Sequence, residues 1–424
     1  MKRLISLGWT FAVGPLFAFT LLGYFLQLSS HGVGVAVLFV AGLVALGSLS
    51  SQRRNRASGP VNHWGFDEIL ITVGYGLLAV SAPLVVGLYG GRHELSGDPF
   101  PFGWSGLSSV CAVLCVVTVL LMGSRGVKVV SRTEGALGVV SLVLGALGMI
   151  VIVATILQGG LNGNHIRYLT FQGASWPAIA AGIAIAVPFF YGADFSVTQS
   201  TKLGEGARRW SRPNVIWLTA FLMLLQYSGA LELSANSGGI PVFTNLANMY
   251  VGISMRGTAW LLVVVSGVIY SLLLAVLFSR RLAAHGLSLR ARAVMIAGLL
   301  TLVSVVPVWT NASARTGTGN SLWAVEALFL NVSSVGGVLL VAGLTAGCVR
   351  AMVVTRSLKM GAMEFVPSTV GLLGLSLAFY GYFWTGVTSA PMARWKFATV
   401  VGFVIVGAAT VAWRHTQRVS AAAQ

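Results

Sequence analysis

The chain has 424 residues, of which 56% are hydrophobic and only 9% charged, with a formal net charge of +17. A soluble domain carries about 25% charged residues, so this chain cannot cover a water-facing surface and reads as an integral membrane protein without a sizeable soluble domain. Its apolar runs are about 20 residues long and show no strand alternation, which selects helices over a barrel.

Taken in chain order, the runs predict twelve spans, at roughly 4–28, 32–50, 67–89, 106–123, 134–157, 176–198, 213–234, 258–279, 292–310, 321–347, 362–384 and 395–413. The first opens on "MKRLISLGW", which resembles the start of a signal peptide. Its apolar run continues to Leu28, too long for a signal-peptide core, so it reads as a retained helix. Near its centre, "AVGPLF" places Gly14-Pro15 where a proline removes a backbone donor and interrupts the helix. The fourth span holds Cys111 and Cys115, four apart on one helix face; they read as packed thiols rather than metal ligands, and no metal site is expected.

The sixth span holds "AVPFFYGADFSVTQSTKLGEGARR". Pro188 and Gly192 weaken the helix, and Asp194 is the one acid placed well inside a span. An aspartate at a helix centre costs about 2.5–3.5 kcal/mol on insertion scales, so it is expected to face a cavity or a partner. A structural cap or an arginine partner is the plainer alternative. The eighth span supplies the hydroxyls of Ser266 and Ser271, candidates for a coupling ion, although membrane serines more often bond their own backbone.

Every lysine and arginine except Arg92, Arg167, Arg256, Arg315, Arg394 and Lys396 falls on the same side as the N-terminus in this scheme. The positive-inside rule then places both termini in the cytoplasm. It also accounts for the net charge through topology, without nucleic acid as a partner.

Spans one and six are five apart, run in opposite directions, and are each interrupted, at Gly14-Pro15 and Gly192-Ala193. That pairing is the pattern of an inverted repeat with discontinuous helices meeting at mid-membrane. Further segments add to it. They are "ALGSLSSQRRNRASGPVNHWGFDE" after span two, "SRGVKVVSRTEGALGVV" entering span five, "FYGADFSVTQSTKLGEGARRWSRPN" at span six and "LFSRRLAAHG" closing span eight. In order and spacing these resemble the amino acid–polyamine–organocation superfamily of permeases.

The resemblance implies an all-α membrane protein of leucine-transporter-like fold, with twelve transmembrane helices and a five-plus-five inverted repeat. The first repeat would span 1–158 and the second 176–348, with two peripheral helices over 362–413. It implies secondary active transport of amino acids or related amines across the cytoplasmic membrane by alternating access, with a proton or sodium ion for coupling and no cofactor. Carried onto this sequence, the substrate would be held by Val13, Gly14 and Pro15 in span one and by Phe190, Tyr191, Gly192, Ala193 and Asp194 in span six. Half-helix N-termini would face a carboxylate and open carbonyls an ammonium. Asp194, with Ser266 and Ser271, would be the coupling-ion candidates. The chain departs from the family at Ala12–Phe17, which has fewer small residues, and at position 194, where an aspartate replaces the usual glutamate.

Four other readings compete. A major-facilitator transporter also has twelve spans, but it would usually show a charged glycine-rich loop after span two and a long central loop, and here the central connection is short. A polyamine or organic-cation exporter would use Asp194 against a cation. A nontransporting sensor on a permease fold would normally carry an added soluble domain. A membrane enzyme would want clustered histidines or acids, whereas the six histidines are scattered over span ends and loops.

Overall fold

The structure is a computed structural model. It describes residues 34–57, 65–95, 103–124, six positions between 136 and 150, 171, 174–190, 192, 212–224, 253–313, 320–357, 363 and 365–384. Within these residues the regular structure is entirely helical.

The helices are α1 (Gly34–Ala57), α2 (Phe66–Leu95), α3 (Gly103–Ser124), α4 (Trp176–Ala186), α5 (212–224), α6 (Ile253–Ala284), α7 (Leu289–Leu300), α8 (Val306–Ser313), α9 (Asn320–Ser357) and α10 (Val366–Trp384). A 3₁₀ turn, Val187–Phe190, continues α4, and a π-helical turn, Thr301–Val305, joins α7 to α8. In the sequence scheme α1, α2 and α3 are spans two to four, α4 to α6 are spans six to eight, α7–α8 is span nine, and α9 and α10 are spans ten and eleven.

Six described stretches are long and apolar enough to cross a membrane. The protein is a multi-pass integral membrane protein. Several helices outrun the apolar segment that identifies them. α1 continues through "SQRRNRA" and α9 through "RAMVVTRS", because intrahelical bonding does not stop where the hydrocarbon does.

α2 and α9 form the centre of the bundle, packed on each other, with α6 and α3 against α2 and with α1 and α10 against α9. In α2, 83% of the apolar window is buried, against 28% in α3 and in α7–α8, so α2 is interior and the latter two are the most peripheral of these spans among the described residues. α3 shows the division within one helix: Val113, Val117 and Leu121 are exposed, whereas Ser108, Cys111 and Cys115 point inward. Both thiols are packed in the interior, as expected from their spacing.

Prolines shape two helices. Pro83 lies inside α2 and withholds one backbone donor. Close to that gap, the Ser304 hydroxyl donates to the Val80 carbonyl. Ser304 belongs to the π turn, which ends two residues before Pro307 of α8, and its own carbonyl accepts from the Ser108 hydroxyl at 3.2 Å. The proline ring conflicts with a carbonyl four residues earlier, and one wider turn relieves it.

α10 lies against α1, α4 and α9 and buries Ser368, Leu375 and Ala378 completely. Glycines bring it close. A β-carbon on Gly47 would stand 2.5 Å from the Pro367 carbonyl oxygen, and one on Gly381 would stand 2.2 Å from that of Ala180.

Candidate functional site

α4 is built to start cleanly and stop early. Ser175 is its N-cap, accepting from the Ala178 N–H at 3.4 Å, and Pro177 occupies its first turn. Regular α-helix ends at Ala186. Val187–Phe190 tightens into a 3₁₀ turn containing Pro188, and Gly192 follows with φ of +95°. That backbone conformation excludes most side chains, which explains the glycine. Five residues therefore separate the end of regular helix from Gly192-Ala193, where the sequence places the interruption.

The break is anchored across the bundle. The Gly192 N–H donates to the Tyr75 hydroxyl of α2 at 3.0 Å. Tyr75 is only 1% exposed, so its hydroxyl has to find protein partners, and it finds one in a backbone group freed by the break. The Arg281 guanidinium of α6 lies 4.7 Å from the centre of the Tyr75 ring. Arg281 Nη1 also meets Glu68 Oε2 at 3.1 Å, an ion pair in which the two side chains are 6% and 18% exposed.

The same end of the bundle holds more polar ties. The Thr72 hydroxyl donates to the Glu68 carbonyl at 2.7 Å, which leaves its lone pairs for His285 Nε2–H at 3.1 Å. Arg350 Nη1 stands 3.6 Å from Asp67 Oδ2, and Asn55 Nδ2 donates to the Gly347 carbonyl at 2.8 Å. Asp67 and Glu68 occupy the first turn of α2, where the helix dipole favours a negative charge.

Beside the break lies a small cavity of about 30 Å³, enough for a water molecule or two. Val187 and Phe190 of the 3₁₀ turn face Tyr75, with Ala45, Ser48 and Leu49 of α1 and Leu340 and Leu344 of α9 completing most of the wall. The lining is apolar except for the hydroxyls of Ser48 and Tyr75. Phe190, expected as a pocket wall, lines this cavity and is buried.

Of the other expected site residues, Val13, Gly14, Pro15, Tyr191, Ala193 and Asp194 lie outside the described residues, as does the side chain of Ser266. Ser271 is fully buried, and its hydroxyl donates to the Gly267 carbonyl at 2.8 Å. Its proton is thus spent within its own helix, the commoner of the two expectations for a membrane serine. Sequence reasoning missed Tyr75. The available signal was a phenol in an apolar run, flanked by Gly74 and Gly76, since a buried tyrosine needs a hydroxyl partner.

No protein-family model matches the chain, and no curated protein does so either. Solved structures do. MhsT in complex with L-phenylalanine matches at 12% identity over 90% of this chain and 98% of that one, with a TM-score of 0.51. The manganese transporter of Eremococcus coleocola, in complex with an aromatic bis-isothiourea substituted compound, matches at 16% identity over 97% and 92%, with a TM-score of 0.47.

The fold is leucine-transporter-like. The likeness is one of architecture, and it does not single out the amino acid–polyamine–organocation superfamily among proteins that share the fold.

Proposed function

We propose that this protein is a secondary transporter that moves amino acids or related amines across the cytoplasmic membrane by alternating access. The observation that supports this is the interrupted end of α4. A helix that gives up its regular bonding beside a cavity within the bundle exposes backbone donors and acceptors where lipid cannot satisfy them. One such donor, the Gly192 N–H, is already held by Tyr75. Small movements of the turn exchange such a bond for one to a solute, which is how a broken helix serves both as a site and as a moving part.

In this reading Val13, Gly14 and Pro15 of the first span complete the site opposite Phe190, Tyr191, Gly192 and Ala193, and Asp194 carries a proton or meets the substrate's ammonium. Ser266 and Ser271 are the alternatives for a sodium ion. The helices of 1–158 and 176–348 are the two halves that rock against each other.

The test is uptake of radiolabelled amino acids into proteoliposomes under an imposed proton or sodium gradient. Saturable, gradient-driven accumulation of an amino acid or amine is expected. Absence of accumulation with amino acids and polyamines alike, in correctly inserted protein, would overturn the reading. Asp194→Asn keeps shape and removes charge, and it is expected to abolish the pH dependence of transport, with Asp194→Glu retaining more activity. Normal transport by the asparagine variant across the pH range reduces Asp194 to a structural cap.

A further inference from the structure

Gln52 is 8% exposed, and neither its Oε1 nor its Nε2 has a hydrogen-bond partner among the described residues. Its polar neighbours on α1 are engaged: the Ser51 and Ser368 hydroxyls lie 2.9 Å apart, and Asn55 Nδ2 holds the Gly347 carbonyl. A primary amide accepts at its carbonyl and donates twice from its NH₂. Burying one with neither end bonded is costly, and native proteins retain such a group when water or a ligand completes it.

The position of Gln52 says where that completion comes from. Ala45, Ser48 and Leu49 line the cavity, and Gln52 follows them by seven, four and three residues, on the same face of α1. Gln52 is not itself part of the cavity wall; it sits one turn beyond Ser48, and because helical side chains lean toward the N-terminus of their helix it lies within reach of that wall. The facing wall, from Phe190, Leu340 and Leu344, is apolar. A neutral group that both donates and accepts, set below an apolar wall, matches a solute with an apolar body and a head carrying both an anionic acceptor and a cationic donor.

We propose that Gln52 is a ligand-recognition residue of this cavity. It binds the polar end of a small neutral amino acid, with Nε2 donating to the carboxylate and Oε1 accepting from the ammonium, while the apolar side chain packs against Phe190, Leu340 and Leu344. This rests on the transporter reading and narrows it to neutral rather than polycationic substrates. The cavity holds only a water or two as it stands, so occupation requires the Val187–Phe190 turn to move outward.

The test is equilibrium binding of radiolabelled leucine, with putrescine as competitor, to the full-length protein in lipid nanodiscs. Wild type is compared with Gln52→Leu and Gln52→Met, and the melting temperature of each is recorded. Wild type is expected to bind leucine and to be indifferent to putrescine. Both variants are expected to melt at or above the wild-type temperature and to bind leucine about tenfold or more weakly, as loss of hydrogen bonds to charged groups implies. Unchanged leucine affinity in the variants overturns the proposal, as does a loss of binding that follows a lowered melting temperature in both. Wild type that binds putrescine and not leucine overturns this proposal and leaves the transporter reading standing. Wild type that binds neither, and transports nothing in proteoliposomes, overturns both.

Discussion

Tyr75 is where three contacts meet: its hydroxyl takes the Gly192 N–H, its ring underlies Arg281, and its edge borders the cavity. Tyr75→Phe removes only the hydroxyl and leaves a backbone N–H of the break short of its acceptor. The expected loss is about 1–2 kcal/mol of stability, read as a lower melting temperature in detergent, together with altered substrate affinity. An unchanged melting temperature and unchanged transport would show that the bond does not matter. Arg281 raises a different issue, because it is 5% exposed and paired with a half-buried acid. Arg281→Ala strands Glu68 in a site that water reaches poorly, and removal of one partner from a buried pair costs about 3–5 kcal/mol. The double variant with Glu68→Gln is expected to recover part of that loss, since no bare charge remains. If melting of the double variant shows no recovery, Arg281 stabilises through its stacking on Tyr75 rather than through the ion pair.

At the scale of elements, the tightest constraint is glycine at the α10 contacts. Gly47 meets the Pro367 carbonyl and Gly381 meets that of Ala180, so either α10 stays close to α1 and α4 or a larger residue forces them apart. Gly381→Val is expected to lower the melting temperature by more than Gly298→Val, because a β-carbon on Gly298 meets nothing within 4 Å. Equal effects would mean that helix propensity, at about 1 kcal/mol, decides and the close approach does not. These elements also show what the sequence could reveal. Hydropathy located α1, α2, α3, α9 and α10, since each contains an apolar run long enough to cross a membrane or nearly so. Pro188 and Gly192 marked the weak end of α4, because their backbone limits are local properties of single residues. Hydropathy marks the spans and not the helix ends, since good helix formers such as Arg53 and Arg54 continue a helix after it leaves the lipid. Tyr75 and Gln52 stayed hidden for another reason. Tyr75 takes its role from what lies across the bundle, and a tyrosine in an apolar run looks the same whether or not it faces a cavity; Gln52 opens the polar run "QRRNR", where nothing in the sequence marks a side chain as buried.

For the whole molecule, the distribution of charge makes a claim that the fold itself does not. The end of the bundle where α1 finishes and α2 begins also receives the ends of α6 and α9, and it carries Arg54, Arg281, Arg350 and Arg356. The opposite end carries few basic residues in the sequence scheme, among them Arg92, close to the end of α2, and Arg315. Moving basic loops across a membrane against the potential is disfavoured, so the positive-inside rule predicts the arginine-rich end on the cytoplasmic side. Two of these arginines are held by acids on α2, Arg281 by Glu68 and Arg350 by Asp67, so the basic end is also tied internally. The native thiols Cys111, Cys115 and Cys348 are all buried, which gives a quiet background for labelling. A cysteine introduced beside Arg92 is expected to react in intact cells with a thiol reagent that cannot cross the membrane. One introduced beside Arg54 is expected to react only after the membrane is permeabilised. The reverse pattern would invert the topology. It would turn the Glu68–Arg281 end outward and make Gln52 and the Val187–Phe190 turn approachable from outside the cell rather than from within.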